Sequence, residues 1–314
     1  MGAGVADTPD GAEKAGLRET IGEWRRREHE GLVAFLFLLP SLVGFLVFTA
    51  IPVGAAFVLA FYDYDLLLGA SFAGLENFKR LLSDDVFIGS FLNTLYFVGV
   101  TVPLTVLLGL AAAMLANQAL RGVVLFRSIF LLPYVMVTVA VALVWKWIFL
   151  PDSGLFNVFL GLFGIDGPAW LTSQTWAMPA LIIMSVWKFF GYNMVLFLAG
   201  LQNIPEHLYD AAKIDGATTW RRFISITLPM LSPVTFFVVV ISVINSFQVF
   251  DQALVMTNGG PGHATTTLVL YIYQVGFQSF DMGYASAIAL VLFAAVFVFT
   301  IVQFFYQRRW VHYE

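Results

Sequence analysis

An all-α, polytopic membrane protein with six transmembrane helices is predicted by three observations. Hydrophobic residues make up 60% of the sequence and charged residues only 11%, against roughly 25% charged in an average soluble domain. The mean hydropathy is +0.84. Several apolar runs approach or exceed the about 20 residues that a helix needs to cross a hydrocarbon core. These runs are continuous, whereas the strands of a membrane barrel alternate apolar and polar residues. The net charge of −4 decides little, because its distribution matters and its sum does not. Cysteine is absent, which excludes disulfides and thiolate metal sites.

Residues 1–31 are polar and charged and read as a tail. Leu17 to Glu30 could lie as a helix on the membrane surface. The first apolar run begins too late for a cleaved signal peptide. Six spans follow: Leu32 to Phe61, Phe87 to Ala116, Phe130 to Phe149, Ala177 to Leu201, Val234 to Phe250 and Gly283 to Phe305. The first is long for one crossing at about 1.5 Å per residue, so a tilt or kink is expected, at Pro40 or Pro52. Leu268 to Phe280 is apolar but too short to span, and is expected on the outer surface or dipping into an outer gate.

Lys and Arg give the orientation, since they concentrate on the cytoplasmic side. Lys14, Arg18, Arg25, Arg26 and Arg27 precede the first span, and Arg121 and Arg127 lie between the second and third. Lys213, Arg221 and Arg222 lie between the fourth and fifth, and Arg308 and Arg309 follow the sixth. All fall on one side, opposite Lys79 and Arg80, so both termini are expected in the cytoplasm. Trp145, Trp147, Trp170 and Trp176 gather near the expected outer interface, as an aromatic belt would.

One soluble-looking stretch interrupts this pattern: YDAAKIDGATTWRRFISITLP, Tyr209 to Pro229. Pro205 suits the first turn of a short helix, and Gly216 suits its left-handed end. Trp220 to Ile226 reads as a further turn or two, and Leu228-Pro229 as the start of the next span. An amphipathic connector on lipid headgroups would explain the charges. It would leave Gly216 and the alanines without a purpose, because small residues suit close packing against another protein.

The stretch resembles the EAA loop of permease subunits in binding-protein-dependent ABC importers. That loop reads Glu-Ala-Ala, three residues, Gly, nine residues, Ile-x-Leu-Pro. Here it reads Asp210-Ala211-Ala212, three residues, Gly216, nine residues, Ile226-Thr227-Leu228-Pro229. The one departure is Asp210, which keeps the charge and loses one methylene of reach. Phe72 to Phe78 (FAGLENF), Asn258 to Gly262 (NGGPG) with Ala264 to Thr267, and the closing Arg308 to Glu314 are similar to the carbohydrate-type branch, the maltose, lactose and glycerol-phosphate permeases.

The resemblance implies a type I ABC importer permease fold. Residues 32–306 would form the transmembrane domain, with a cytoplasmic coupling loop at 202–231 and a cytoplasmic tail at 307–314. In that loop Glu206, Asp210, Ala211, Ala212, Asp215, Gly216, Leu228 and Pro229 would dock in a groove of an ATPase and transmit its closure to the spans. The implied partners are a second homologous permease, two ATPase subunits, an extracytoplasmic substrate-binding protein and membrane lipid, with no nucleic acid. The implied place is the cytoplasmic (inner) membrane of a bacterium or archaeon. No cofactor is expected in this chain, with ATP and Mg on the ATPase subunits. It would be a transport subunit and not an enzyme.

Polar groups inside spans mark the candidate substrate pathway. No Asp, Glu or His lies well inside a span. Lys146, between two tryptophans, can snorkel to the interface. Lys188 is too deep for that and must face the bundle or a watery cavity. It could be a structural donor to carbonyls or part of the pathway. Trp187, Tyr192 and Asn193 surround it in sequence. Asn245, Gln248 and Gln252 recur at helical spacing, with Phe247 and Phe250 beside them. Amides pair with sugar hydroxyls and aromatic faces cover sugar C–H surface, so the set suits a carbohydrate. Interhelical hydrogen bonding is the competing explanation for each amide. Asn93 and Thr94 give a weaker signal of the same kind.

The reading is therefore an ATP-driven importer subunit forming half of the pathway for a sugar or oligosaccharide. The alternative cargo is glycerol 3-phosphate or a related phosphorylated polyol, which Lys188 would suit. An ion-coupled secondary transporter would need intramembrane carboxylates or histidines, which are missing. A membrane enzyme would need a His/Glu cluster or a nucleophile motif. His29, His207, His263 and His312 lie outside the spans and far apart in sequence.

The sequence holds no Gly-x-x-x-x-Gly-Lys-[Ser/Thr] phosphate loop. The purified chain alone is accordingly expected to show background ATP turnover, and the assembled importer turnover stimulated by liganded binding protein. Clear hydrolysis by the single chain would sink the reading.

Overall fold

The computed structural model describes residues 33–65, 69–118 and 122–311. Leu17 to Glu30, Arg121 and residues 312–314, on which part of the charge and tail reading rests, lie outside them. The chain divides into two compact units, Met1–Ala56 and Phe57–Glu314. Helix α1, Val33–Leu59, begins in the first unit and ends in the second. A π-helical turn, Leu46–Ala50, interrupts it, with the Ile51 N–H bonded back to Leu46 O. Pro52 follows and has no N–H to offer Phe48 O, so the ladder widens just before it.

The second unit opens with a two-stranded hairpin, β1 Tyr62–Asp65 and β2 Gly69–Phe72, antiparallel with Tyr62 opposite Phe72 and Asp65 opposite Gly69. An all-helical reading missed it. The strands are four residues each, and only the Tyr-Asp-Tyr-Asp alternation betrays the period of two. Helices α2 Glu76–Ser83 and α3 Asp85–Ala116 follow, then α4 Val123–Val135, α5 Thr138–Ile148 and α6 Leu155–Gly161. The rest are α7 Ala177–Gln202, α8 Glu206–Ile214, α9 Thr219–Met230, α10 Ser232–Phe247, α11 Asp251–Thr257, α12 Leu268–Gln278 and α13 Met282–Trp310.

Among the described residues, α1, α3, α7 and α13 are long and apolar enough to cross a membrane alone. The other two expected spans are broken. The run from Phe130 to Phe149 is not one helix: α4 and α5 meet at 98° across Met136 and Val137. Pro133 withholds an N–H from the last turn of α4, and hydropathy cannot report a change of backbone direction. The fifth span also differs from its expectation. Helix α9 runs unbroken out of the soluble-looking stretch through a π turn, Phe223–Thr227, and meets α10 at 65°. The bend falls at Leu231, between Pro229 and Pro233, and α10 ends at Phe247 rather than Phe250.

Packing of α3, α4 and α10 around α7 builds the centre of the second unit. Close approach between α4 and α7 depends on Gly191, where an added Cβ would lie 1.7 Å from Phe130 O. The expected aromatic belt is partly core: Trp170 is buried against Phe149, Phe156 and Trp176, and its indole donates to Asn157 Oδ1 at 2.6 Å. Trp147 stays exposed. The short apolar segment Leu268 to Phe280 forms α12, whose Leu268 and Leu270 are buried.

A polar knot fastens one end of this unit. Asp84 caps α3, accepting from the N–H groups of Val86 and Phe87 on Oδ1. Its Oδ2 accepts from Tyr271 Oη at 2.5 Å and Tyr284 Oη at 2.6 Å, joining α12 and α13. Arg80 donates to Asp281 at 2.7 Å and lies 3.8 Å over the Tyr284 ring. Burial alone would raise the Asp84 carboxyl, but its hydrogen bonds outweigh that and hold it below its ordinary value. Burial, and then the bond to Asp84, pushes the Tyr271 phenol up.

A depressed carboxylate stabilises above its unfolded pKa, about 4, and a raised phenol below its own, about 10. The knot should hold undiminished between those limits and loosen outside them. Asp84→Asn is expected to cost about 1.5–3 kcal/mol, by the same amount at pH 5 and pH 9, in thermal melting. A deficit that changes between those two pH values would contradict the assignment.

Candidate functional site

Two places in the second unit gather the polar residues. The first is a cleft of about 320 Å³ lined by Tyr134, Thr138, Phe189, Asn245, Gln248, Val249, Phe250, Asp251 and Gln252. It adjoins an enclosed cavity of about 30 Å³, room for a single water, which shares Phe189, Asn245, Val249 and Gln252. Tyr192, Asn193, Ser242 and Thr101 are also in the cavity wall, and the Thr101 hydroxyl is buried without a partner among the described residues.

The three amides expected on one helix come from three kinds of backbone. Asn245 is on the last turn of α10, Gln248 is its C-cap, and Gln252 is in the first turn of α11. The helical spacing of 245, 248 and 252 was therefore not what unites them. The chain ends α10, turns, and restarts, and the turn folds all three toward one cleft. Among the described residues none of the three amides has a side-chain hydrogen bond. Asn193 differs, donating to Ser242 Oγ at 3.3 Å between α7 and α10.

Trp187, Lys188 and Phe247 lie elsewhere. Trp187 packs on Trp145, ring centroids 5.5 Å apart. Phe247 is wholly buried among Val98, Val102 and Val243. Lys188 is only 2% exposed. Its ammonium donates to Met136 O at 2.6 Å, Pro133 O at 3.1 Å and Tyr134 O at 3.4 Å. These are carbonyls left without helical donors where α4 breaks. Lys146 donates to Val255 O at 3.3 Å. Asn93 donates to His263 O and Thr266 O, and Thr94 accepts from Leu268 N, so both hold the Asn258–Thr267 loop to α3.

Sequence reasoning missed Tyr134, Thr138, Phe189 and Asp251. Tyr134 stacks on Tyr192 at 4.5 Å and beside Phe189 at 6.2 Å. Tyr134 and Thr138 flank the break, and Pro133 was the available signal. Asp251 follows the expected end of the fifth span by one residue and so escaped the search for intramembrane acids.

The second place is the stretch after α7. Pro205 caps α8, and Gly216 follows its end at φ +72°. The Gly216 N–H bonds to Lys213 O and the Ala217 N–H to Ala212 O, a Schellman closure that needs a left-handed residue. One face is turned outward: Glu206, Asp210, Ala211, Asp215, Gly216 and Leu228 are exposed, with Ala212 and Pro229 half-buried. Ile214 is 87% and Trp220 68% exposed, unusual for large apolar residues outside lipid. The Lys213 ammonium bonds to Asp210 at 2.8 Å and holds its carboxyl below the ordinary value. The inner face is anchored. Leu208 and Tyr209 pack with Ile226 and Met230 against Ala116, Phe197 and Leu201, and Tyr209 Oη meets Thr227 Oγ1 at 3.0 Å.

Residues 105–312 match the family described as "Binding-protein-dependent transport system inner membrane component". The "Probable ABC transporter permease protein YesP" of Bacillus subtilis (strain 168) is 40% identical over 290 residues, covering 91% of this chain and 93% of the relative. The "Trehalose/maltose transport system permease protein MalF" of Thermococcus litoralis is 38% identical over 274 residues, covering 87% and 92%. A solved bacterial ABC transporter involved in the import of the acidic polysaccharide alginate superposes with a TM-score of 0.78 at 26% identity, covering 91% of this chain and 98% of that one.

Lys188→Met keeps the stem's volume and removes the donor to the carbonyls of Pro133, Tyr134 and Met136. It is expected to lower the melting temperature in detergent, by about 1.5–3 kcal/mol of stability. Unchanged melting would show that the lysine does not hold the break.

Proposed function

Because the chain belongs to the family of binding-protein-dependent transport system inner membrane components, we propose that it passes a sugar or oligosaccharide, handed over by a substrate-binding protein, along the cleft beside α10 and α11. The chain is a permease subunit of an ABC importer and a transport component, not an enzyme. The observation that supports a carbohydrate is the set of unengaged amides, Asn245, Gln248 and Gln252, facing Tyr134, Phe189 and Phe250 across one cleft. Asn245 and Gln248 are exposed to the cleft and Gln252 is buried, and none of the three side chains is engaged among the described residues, so all three are free to pair with a solute. Hydroxyls pair with them, and aromatic faces cover the C–H surface between them. A phosphorylated polyol would want several cationic donors. Lys188 is already committed to three carbonyls, which weakens that reading.

The stretch from Glu206 to Met230 works in this proposal as the lever. Its outward face, with Ile214, Trp220 and the small residues around Gly216, docks on an ATPase subunit that holds ATP and Mg. Its inward face grips the ends of α3 and α7 through Leu208 and Tyr209. A displacement of the loop then has to move those helix ends. A second permease supplies the other wall of the path, both termini face the cytoplasm, and the lever lies on that side. A binding assay on the cognate binding protein, with a panel of sugars and phosphorylated polyols, tests the cargo.

Gly216→Trp tests the lever. An added Cβ meets nothing within 4 Å in this chain, so bulk there is free to strike only a partner. The left-handed backbone costs a side chain about 1–2 kcal/mol, a cost that Gly216→Ala shares. The Trp variant is expected to reach the membrane but lose uptake and co-purification of the ATPase, with Gly216→Ala far less affected. Normal uptake by Gly216→Trp would remove the case for a docking loop.

A further inference from the structure

The cleft beside α10 and α11 is lined by side chains from α4, α5, α7, α10 and α11 and by the link between α10 and α11. Of its lining residues, Asp251 is the one acidic side chain, and none is basic. Its carboxylate makes no hydrogen bond or ion pair among the described residues. The adjoining cavity holds only hydroxyls, amides and apolar groups. Lys188 is the nearby cation, and it attracts Asp251 electrostatically. Yet Lys188 is buried, its ammonium bonded to the carbonyls of Pro133, Tyr134 and Met136. The wall thus offers a mobile solute one carboxylate and no free cationic donor, the Lys188 donors being taken up by carbonyls.

We infer that Asp251 is a specificity-determining residue that makes the path electronegative, so that it passes uncharged, hydroxyl-rich saccharides and rejects phosphorylated, sulfonated and uronate ones. This rests on the pathway reading above. A carboxylate serves both halves of the selection. It accepts hydrogen bonds from sugar hydroxyls, which neutral saccharides offer in number and an anionic group does not. It repels an anion that enters the same cleft, at a separation shorter than the Debye length of ordinary salt. An importer of acidic saccharides would need the opposite arrangement, free Arg or Lys in the wall. Placement also fits. Asp251 begins α11, directly after the turn that brings Gln248 and Gln252 together, so acceptor and amides sit within one substrate's reach.

The chain has no native cysteine, so Asn245→Cys places a single thiol of this chain in the cleft. In the assembled importer, its modification is followed by mass spectrometry. The probes are a cationic (trimethylammonium-ethyl), an anionic (sulfonatoethyl) and a neutral (methyl) methanethiosulfonate, each corrected for its rate with a small thiol in solution. The cation should outrun the anion by on the order of tenfold. Adding Asp251→Asn should bring the corrected ratio near one, and Asp251→Glu should keep it. Should Asp251→Asn fail to assemble, raising the salt on the Asn245→Cys background should lower the ratio instead. A reactive thiol whose ratio is at or below one, or ignores both Asp251→Asn and salt, overturns the inference and leaves the importer reading standing. A thiol that not even the neutral probe reaches overturns the pathway reading and the inference with it.

Discussion

Everything distinctive about the second unit depends on three carbonyl oxygens and one ammonium. A chain in hydrocarbon must satisfy each backbone polar group from within the protein. The end of α4 frees the carbonyls of Pro133, Tyr134 and Met136. Lys188 reaches across from α7 and bonds to all three of them. That makes a 98° turn tolerable where an unbroken helix was the simpler outcome. The turn in its turn exposes Tyr134 and Thr138, and these form one wall of the cleft. The lysine thus shapes the site without lining it. Its donors are spent on the scaffold, and the acid on α11 is left as the charged group that faces the cleft.

The lever and the cleft obey one design rule, the one at the end of α7 and the other at its middle. Each combines an anchored inner face with an unsatisfied outer one. Around Gly216 the inner face is Leu208 and Tyr209, and the outer face presents Ile214 and Trp220. Around Asn245 the scaffold is the α7–α10 contact through Asn193 and Ser242, and the free groups are the amides beyond it. Helix α7 joins the two, and Gly191 seats it against α4 with no room for a methyl. A push on the loop therefore meets a stiff element rather than a compliant one.

The four single-helix spans and the loop were legible because each rests on a local signal. A long apolar run announces α3 or α13, and the spacing from Asp210 through Gly216 to Pro229 announces the loop. The Schellman closure confirms a left-handed Gly216 from the glycine alone. The breaks were not legible. Phe130 to Phe149 is evenly apolar, and its turn exists because a lysine some fifty residues on can bond to it. Gln248 and Gln252 were singled out for a helical spacing that the backbone does not keep. They converge through the fold of a turn that no periodicity describes. Asp251 was passed over for the same reason: it was counted outside a span whose end the sequence could not locate.

The position of the cleft's amides at a helix end and a turn bears on how such a protein could diversify. Among the described residues, Asn245, Gln248 and Gln252 hold no other element in place through a side-chain hydrogen bond. Exchanging them would alter the lining while leaving the frame intact. Gly191 and Lys188 have no such latitude, since the one admits no side chain and the other holds a broken backbone together. Duties are divided so that the residues that meet the cargo are not those that bear the fold. Such a lineage could change its diet by drift at a few turn positions without passing through an unstable intermediate.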